Sequence, residues 1–131
     1  MKNQLEWYVR ALAQPADIQK FLFPDTGLAG DEMVLGFEES LEYLSLEGFL
    51  KKYDDSFTLL QKEALMSLNK VITEMSVMSN FNLWTSAGLD ASEWEQVRIA
   101  AHNFLSEMQW STLPPTSEGT TIIYIASESS S

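Results

Sequence analysis

Apolar side chains recur along this chain mostly three and four residues apart, the interval at which they share one face of an α-helix. Leu5, Tyr8, Val9 and Leu12 begin the pattern. Pro15 then interrupts it, at a position suited to the first turn of a second short helix that holds Ile18, Phe21 and Leu22. "PDTGLAG" (24–30) is dense in turn formers and reads as a loop, with Asp31 placed to cap a helix after it. Met33, Val34, Phe37, Leu41 and Leu44 resume the helical spacing, although "MVLGF" (33–37) alone also fits a short buried strand, and Gly36 weakens a helix there. The helix is therefore expected from about Glu38. Leu46, Phe49, Leu50 and Tyr53 continue to a break at "YDDS". Beyond it, Phe57, Leu60, Ala64, Leu68, Val71, Ile72 and Met75 form one stripe, Lys62, Glu63, Asn69, Lys70 and Glu74 lie elsewhere on the surface, and Asp55 or Ser56 can cap the start.

"SNFNLWTSAGLD" (79–90) alternates polar and aromatic residues and reads as a connection. Asp90 with Glu93 has the form of a capping box opening a helix whose stripe is Trp94, Val97, Ala101, Phe104, Leu105 and Met108, ending near Gln109. After "LPPTSEG", the β-branched and aromatic run "TTIIYIA" (120–126) predicts a strand. A strand needs a partner for its backbone groups, and "MVLGF" or "WSTL" could supply one within the chain, or a subunit or other protein across an interface. Internal pairing is the expectation. The fold class is thus mainly α: a compact helical bundle with a short C-terminal β segment, extendable to a two- or three-stranded sheet. Residues 1–126 form a single domain, and the Ser-rich 127–131 a disordered tail.

Charge changes the picture. The 131 residues include 19 acids and 8 bases, a net charge of −11, which disfavours nucleic acid and anionic lipid and favours a cationic partner. The imbalance is local: residues 1–24 sum to +1, residues 25–55 to −7 and residues 56–131 to −5. "MKNQLEW" lacks a signal-peptide apolar region, and the apolar runs fall short of the roughly 20 residues that span a bilayer, so a cytoplasmic protein is expected. The absence of Cys removes disulfides, thiolate metal sites and cysteine nucleophiles together.

Little catalytic chemistry survives inspection. Asp25-Thr26-Gly27 matches the aspartic-protease tripeptide, but its flanks read as helix, and the same residues make an ordinary turn. His102 is the single histidine and shares a helical ridge with Arg98 and Glu95, which reads as a surface ion-pair ladder; zinc would need further N or S ligands. Glu39 and Glu42 could begin a helix-bundle di-metal site, yet the chain has no Glu-x-x-His. A calcium loop, a phosphate-binding Gly-rich loop and a nucleophile elbow are missing as well. Among the tryptophans, Trp7 and Trp94 read as core, and Trp84 and Trp110 as more exposed. No catalytic, cofactor-binding or metal-binding residue is assigned, and no enzyme is expected.

The stretch "DEMVLGFEESLEYLSLE" (31–47) holds six carboxylates and no cation. On a helix, Glu38 and Glu39 would each neighbour Glu42, and like charges so placed cost about 0.2–0.5 kcal/mol per pair. Phe37, Leu41 and Leu44 would turn inward, leaving the glutamates and Tyr43 outside, where an aromatic can anchor an interface and the charges can meet Arg or Lys. In size, charge, lack of Cys and the character of "EESLEYLSLE", the chain resembles the immunity proteins that bacteria make against nuclease bacteriocins and contact-dependent growth inhibition toxins. That resemblance is one of class, carried by residues 31–55 and by no specific motif. It implies a one-to-one complex that blocks the active site of a cognate, basic, nuclease-type toxin or a surface beside it. The candidate partner-binding residues are Asp31, Glu32, Glu38, Glu39, Glu42, Tyr43, Glu47, Asp54 and Asp55. The alternative is an acidic adaptor or subunit with an obligate protein partner and no catalytic activity, and a homodimer stays open as a further assembly. A small enzyme is the third reading, which a deep pocket lined by His102 and carboxylates would favour.

Overall fold

Leu5, Val9 and Leu12 are fully buried along one side of α1 (Lys2–Leu12), as their spacing predicts. The computed structural model describes residues 2–24, 27–78 and 80–116. Among these lie five further α-helices: α2 (Ala16–Leu22), α3 (Ala29–Ser40), α4 (Leu46–Lys52), α5 (Leu59–Ser76) and α6 (Ser92–Met108). Three single 3-10 turns join them, at Asp54–Ser56, Phe81–Trp84 and Ala87–Asp90. The chain is mainly helical, and there is no strand among the described residues. The expected strand at 120–126, the tail at 127–131 and Asp25-Thr26 of the protease-like tripeptide lie outside them. No helix of the described residues is long and apolar enough to cross a membrane.

The principal packing runs α5, α6, α1, α3, which makes α3 and α5 the two outer helices. Gln4 near the start of α1 reaches Glu39 near the end of α3, and the Tyr8 ring lies over Gly36, so α1 and α3 are antiparallel. A Cβ on Gly36 would stand 2.1 Å from Tyr8 Cε1, and this close approach, rather than a strand or a weak helix, explains the glycine. Similarly, Gln61 at the start of α5 donates to the Glu107 carbonyl at the end of α6, at 3.1 Å. Trp94, Phe37, Phe49 and Phe104 are the largest fully buried side chains, each worth about 1.5–3 kcal/mol of burial. The Trp94 indole N–H finds the Leu83 carbonyl at 2.6 Å, so the core carries no unmet donor there.

A polar hub closes the corner between α1 and α2. Gln19, fully buried, donates through Nε2 to the Ala11 and Leu12 carbonyls at 3.1 Å each, sharing the Ala11 oxygen with the Gln14 N–H and meeting the Leu12 acceptor that the end of α1 leaves open. Its Oε1 accepts from Arg98 Nη2 at 3.1 Å, while Arg98 Nε donates to the Gln14 carbonyl at 3.1 Å and Nη2 also to the Leu89 carbonyl. One guanidinium thus ties α6 to the link between α1 and α2, to α2 and to the Ala87–Asp90 turn. After α6, Gln109 in the left-handed region (φ 59°) reverses the chain, and residues 111–116 return along α1. There the carbonyls of Thr112, Leu113, Pro114 and Thr116 accept from the side chains of Gln14, Arg10 and Trp7.

Several boundaries depart from expectation. α3 begins at Ala29, with Leu28 rather than Asp31 in the capping position, and it ends at Ser40, so Glu38 is in its last turn and not its first. Residues 33–37 are helix, and neither they nor "WSTL" form a strand. Leu44, expected inside, is exposed, because the chain leaves the helix before it. α5 is capped by Thr58, whose side chain and that of Gln61 exchange bonds with each other's backbone N–H groups, rather than by Asp55 or Ser56. Packed on α6, the helix turns Leu65 inward and leaves Leu60 outside. α6 is preceded by Ala91, and Asp90 instead pairs with Lys20 at 2.9 Å. Pro15 occupies the position before the first turn of α2, and Phe21 is exposed. Trp84 and Trp110 are half-buried against the core, in edge contacts with Trp94 and Phe104.

Candidate partner-binding face

The outward face of α3 is set by the side it buries. Ala29, Met33, Val34, Gly36, Phe37 and Ser40 face the interior, so the opposite face falls to Glu32, Leu35, Glu38 and Glu39, with Asp31 half-buried at its margin. Asp31 and Glu32 stand in the first turn, where a carboxylate is favoured by the helix dipole. Glu38 and Glu39 stand in the last turn, where the dipole opposes them by about 0.3–1 kcal/mol each, and no basic residue shares that turn. Glu39 is held by Gln4 Nε2 at 2.9 Å and by the Tyr43 hydroxyl at 3.0 Å. Among the described residues, Asp31, Glu32, Glu38 and Glu47 form no ion pair.

The turn after α3 presents the aromatic. Glu42 (φ 61°) and Tyr43 (φ 56°) are consecutive non-glycine residues in the left-handed region, a conformation that costs roughly 1–2 kcal/mol for an L residue. Ser45, extended, then caps α4 by accepting from the Gly48 N–H at 3.0 Å. The turn is latched from α4: Glu42 accepts from Lys52 Nζ at 2.6 Å and from the Tyr53 hydroxyl. These bonds hold the Glu42 carboxyl below its ordinary range, Lys52 first and Tyr53 second, and raise both partners. Tyr43 projects beyond the latch, 79% exposed, with its hydroxyl raised by the bond to Glu39 and by that carboxylate's charge.

The six acidic and aromatic positions from Asp31 to Tyr43 therefore come together on α3 and the turn that ends it. Glu47, in the first turn of α4, and Asp54 and Asp55, in the 3-10 turn after it, extend the acidic surface along the next segment. Two of the nine are matched within the chain: Glu42 by Lys52, and Asp54 by Lys62. Leu35, 52% exposed in the middle of the α3 face, goes unnoticed in the sequence, since only the true start of α3 reveals it between Glu32 and Glu39.

Linkage gives the latch a pH signature. Glu42 is lowered from 4.5, so its contribution is present above that value and is lost as pH falls through the depressed one. Lys52 is raised from 10.5, so its contribution is present below that value and is lost as pH rises through the elevated one. The difference in urea midpoint between the wild type and Glu42→Gln is expected to be level across neutral pH and to close at both extremes. A pH-independent difference would show that the latch carries no charge pairing.

Elsewhere, an open depression of about 480 Å³ lies between the α1–α2 corner and α6, lined in part by Glu95, Arg98, His102 and Asn103. His102 is exposed there, and Arg98 turns inward to the carbonyls of the hub, so the expected His102–Arg98–Glu95 ladder does not form. Burial lowers the Arg98 guanidinium, opposed by the charges of Glu95 and Asp90. No group of three metal-ligating side chains comes together among the described residues. Comparison with known protein families, characterised proteins and solved structures found no match for the chain.

Proposed function

We propose that the protein is an immunity protein that neutralises a basic, nuclease-type bacterial toxin by docking the outer face of α3 and the Glu42–Tyr43 turn. The observation that carries this reading is the surround of exposed carboxylates at Glu32, Glu38 and Glu39 about two exposed apolar groups, Leu35 and Tyr43. Charges of one sign steer an oppositely charged partner, and apolar side chains inside a polar rim supply the contact that persists after encounter. Both parts of the face work against the isolated fold. Carboxylates at the end of α3 oppose its dipole, and Tyr43 occupies strained backbone while burying little of its own surface. Asp31, Glu47 and Asp55 widen the negative field, Asp54 is paired with Lys62, and the latch at Glu42 orients the turn.

The test begins with affinity capture on the wild type and on a variant carrying Lys at 32, 38 and 39. A basic protein retained by the first and lost from the second is then co-expressed with the chain. Survival of cells making that protein only alongside the wild type supports the reading, and a bound protein that harms no cell overturns it in favour of an adaptor. Tyr43→Gly separates the two roles of the turn. Relief of the left-handed strain should leave stability unchanged or raise it by up to about 1 kcal/mol, while partner dissociation accelerates at least tenfold. Chemical denaturation and surface-based kinetics on one preparation read both.

A further inference from the structure

The other outer helix has the opposite electrical character. α5 buries Leu65, Leu68, Ile72 and Met75, mainly against α6, and the helical period sends Leu59, Glu63, Met66, Lys70, Thr73 and Val77 along the midline of the far side. Leu59, Met66 and Val77 are 71%, 46% and 75% exposed. Where α3 carries four acids and no base, α5 carries Lys62, Glu63, Lys70 and Glu74 and is neutral. Two chains of net charge −11 repel wherever their acidic surfaces meet, so a neutral face with apolar groups is where two copies can approach. The pattern also complements itself when reversed. Glu63 has Leu59, Leu60, Met66 and Ser67 at its helical neighbour positions and forms no ion pair among the described residues; nor does Lys70, seven residues on.

We infer that the outer face of α5 pairs with the same face of a second copy, antiparallel about a two-fold axis passing between Met66 and Ser67. Residues whose numbers sum to 133 then stand opposite, so Glu63 of each copy meets Lys70 of the other, twice, and the Met66 side chains pack beside the axis. A helix of 18 residues is about 27 Å long, so the shared area falls at or below the small end of specific interfaces, and a dissociation constant on the order of 100 µM is expected. The inference does not rest on the toxin reading, since neither α3 nor the Glu42–Tyr43 turn contributes a residue to it.

Sedimentation equilibrium of the full chain, from about 10 µM to about 1 mM near physiological salt, decides it. The wild type is expected to form a dimer. Lys70→Glu and Glu63→Lys should each weaken it at least tenfold, and the double exchange E63K/K70E should restore it to within about threefold. These side chains lie outside the core, so far-UV circular dichroism should match across the set. The chain has no Cys, and Met66→Cys should therefore form an intermolecular disulfide at least tenfold faster than Leu35→Cys on α3 under the same mild oxidant. A monomer throughout the range, a double exchange as weak as its single parents, or equal cross-linking at the two positions would each overturn the proposal.

Discussion

Replacing Glu32, Glu38 and Glu39 together by lysine is expected to slow capture of the basic partner by about ten- to a hundredfold at low salt, and to flatten the dependence of the rate on ionic strength. The exchange takes α3 from a charge of −4 to +2. Glu42 is left out deliberately. Reversal there would break the bonds to Lys52 and Tyr53 and confound a lost charge with a displaced turn. The triple exchange also removes the exposed bonds of Glu39 to Gln4 and Tyr43, so Glu39→Gln, which keeps an acceptor, is the control; the helix itself should tolerate lysine, which suits the last turn of α3 about as much as it disfavours the first. Stopped-flow mixing at several salt concentrations gives the answer, and an unchanged rate with an unchanged salt slope would remove the steering role. Leu35→Ala should act on the other limb, raising the dissociation rate while leaving encounter alone.

The second large effect concerns stability. Arg98→Met is expected to cost about 2–3 kcal/mol, the range for losing hydrogen bonds to a charged donor, partly offset by the side chain's residual exposure. It strands the Gln14 and Leu89 carbonyls and Gln19 Oε1 at once, and with them the clasp on the end of α1. For a domain of this length that is a fall in melting temperature of roughly 10 °C. Arg98→Lys should recover little, because one ammonium cannot aim donors in the directions that the planar guanidinium serves. Thermal unfolding of the three proteins checks this, and a lysine variant as stable as the wild type would show that charge rather than the fork holds the corner.

Spacing reveals the helices more readily than their limits. The stripes of α1 and α6 are legible because their apolar residues admit one register. The stripe of α5 is legible from Ala64 to Met75, whereas at its start Leu59, Leu60 and Leu65 compete for the inner face, and Leu65 is buried while Leu60 is exposed. Gly36 looks like a helix breaker until the Tyr8 ring is placed on it. The break after Ser40 escapes notice because Glu42 and Tyr43 are neither Gly nor Asn, the residues that usually mark left-handed backbone; the Ser45 cap of α4 is the missed signal that a new helix starts there. Arg98 shares a ridge with Glu95 and His102 in the sequence, but the open carbonyls around α1 draw it inward, a long-range demand that no local spacing encodes. The acidic character of the candidate face is legible in full, whereas Leu35 at its middle and the two pairings that neutralise Glu42 and Asp54 depend on where the helices start and stop.

The return of residues 111–116 along α1 has an evolutionary corollary. Arg10, Gln14 and Trp7 grip that stretch through main-chain oxygens, which every amino acid possesses, while Leu113 points its side chain to solvent. Substitutions at its exposed positions 112 to 114 should be nearly silent, yet loss of the stretch would take an acceptor from each of Trp7, Arg10 and Gln14. Descendants of this protein are free to rewrite the lettering of that ribbon's exposed part so long as they keep its length and the buried Pro115.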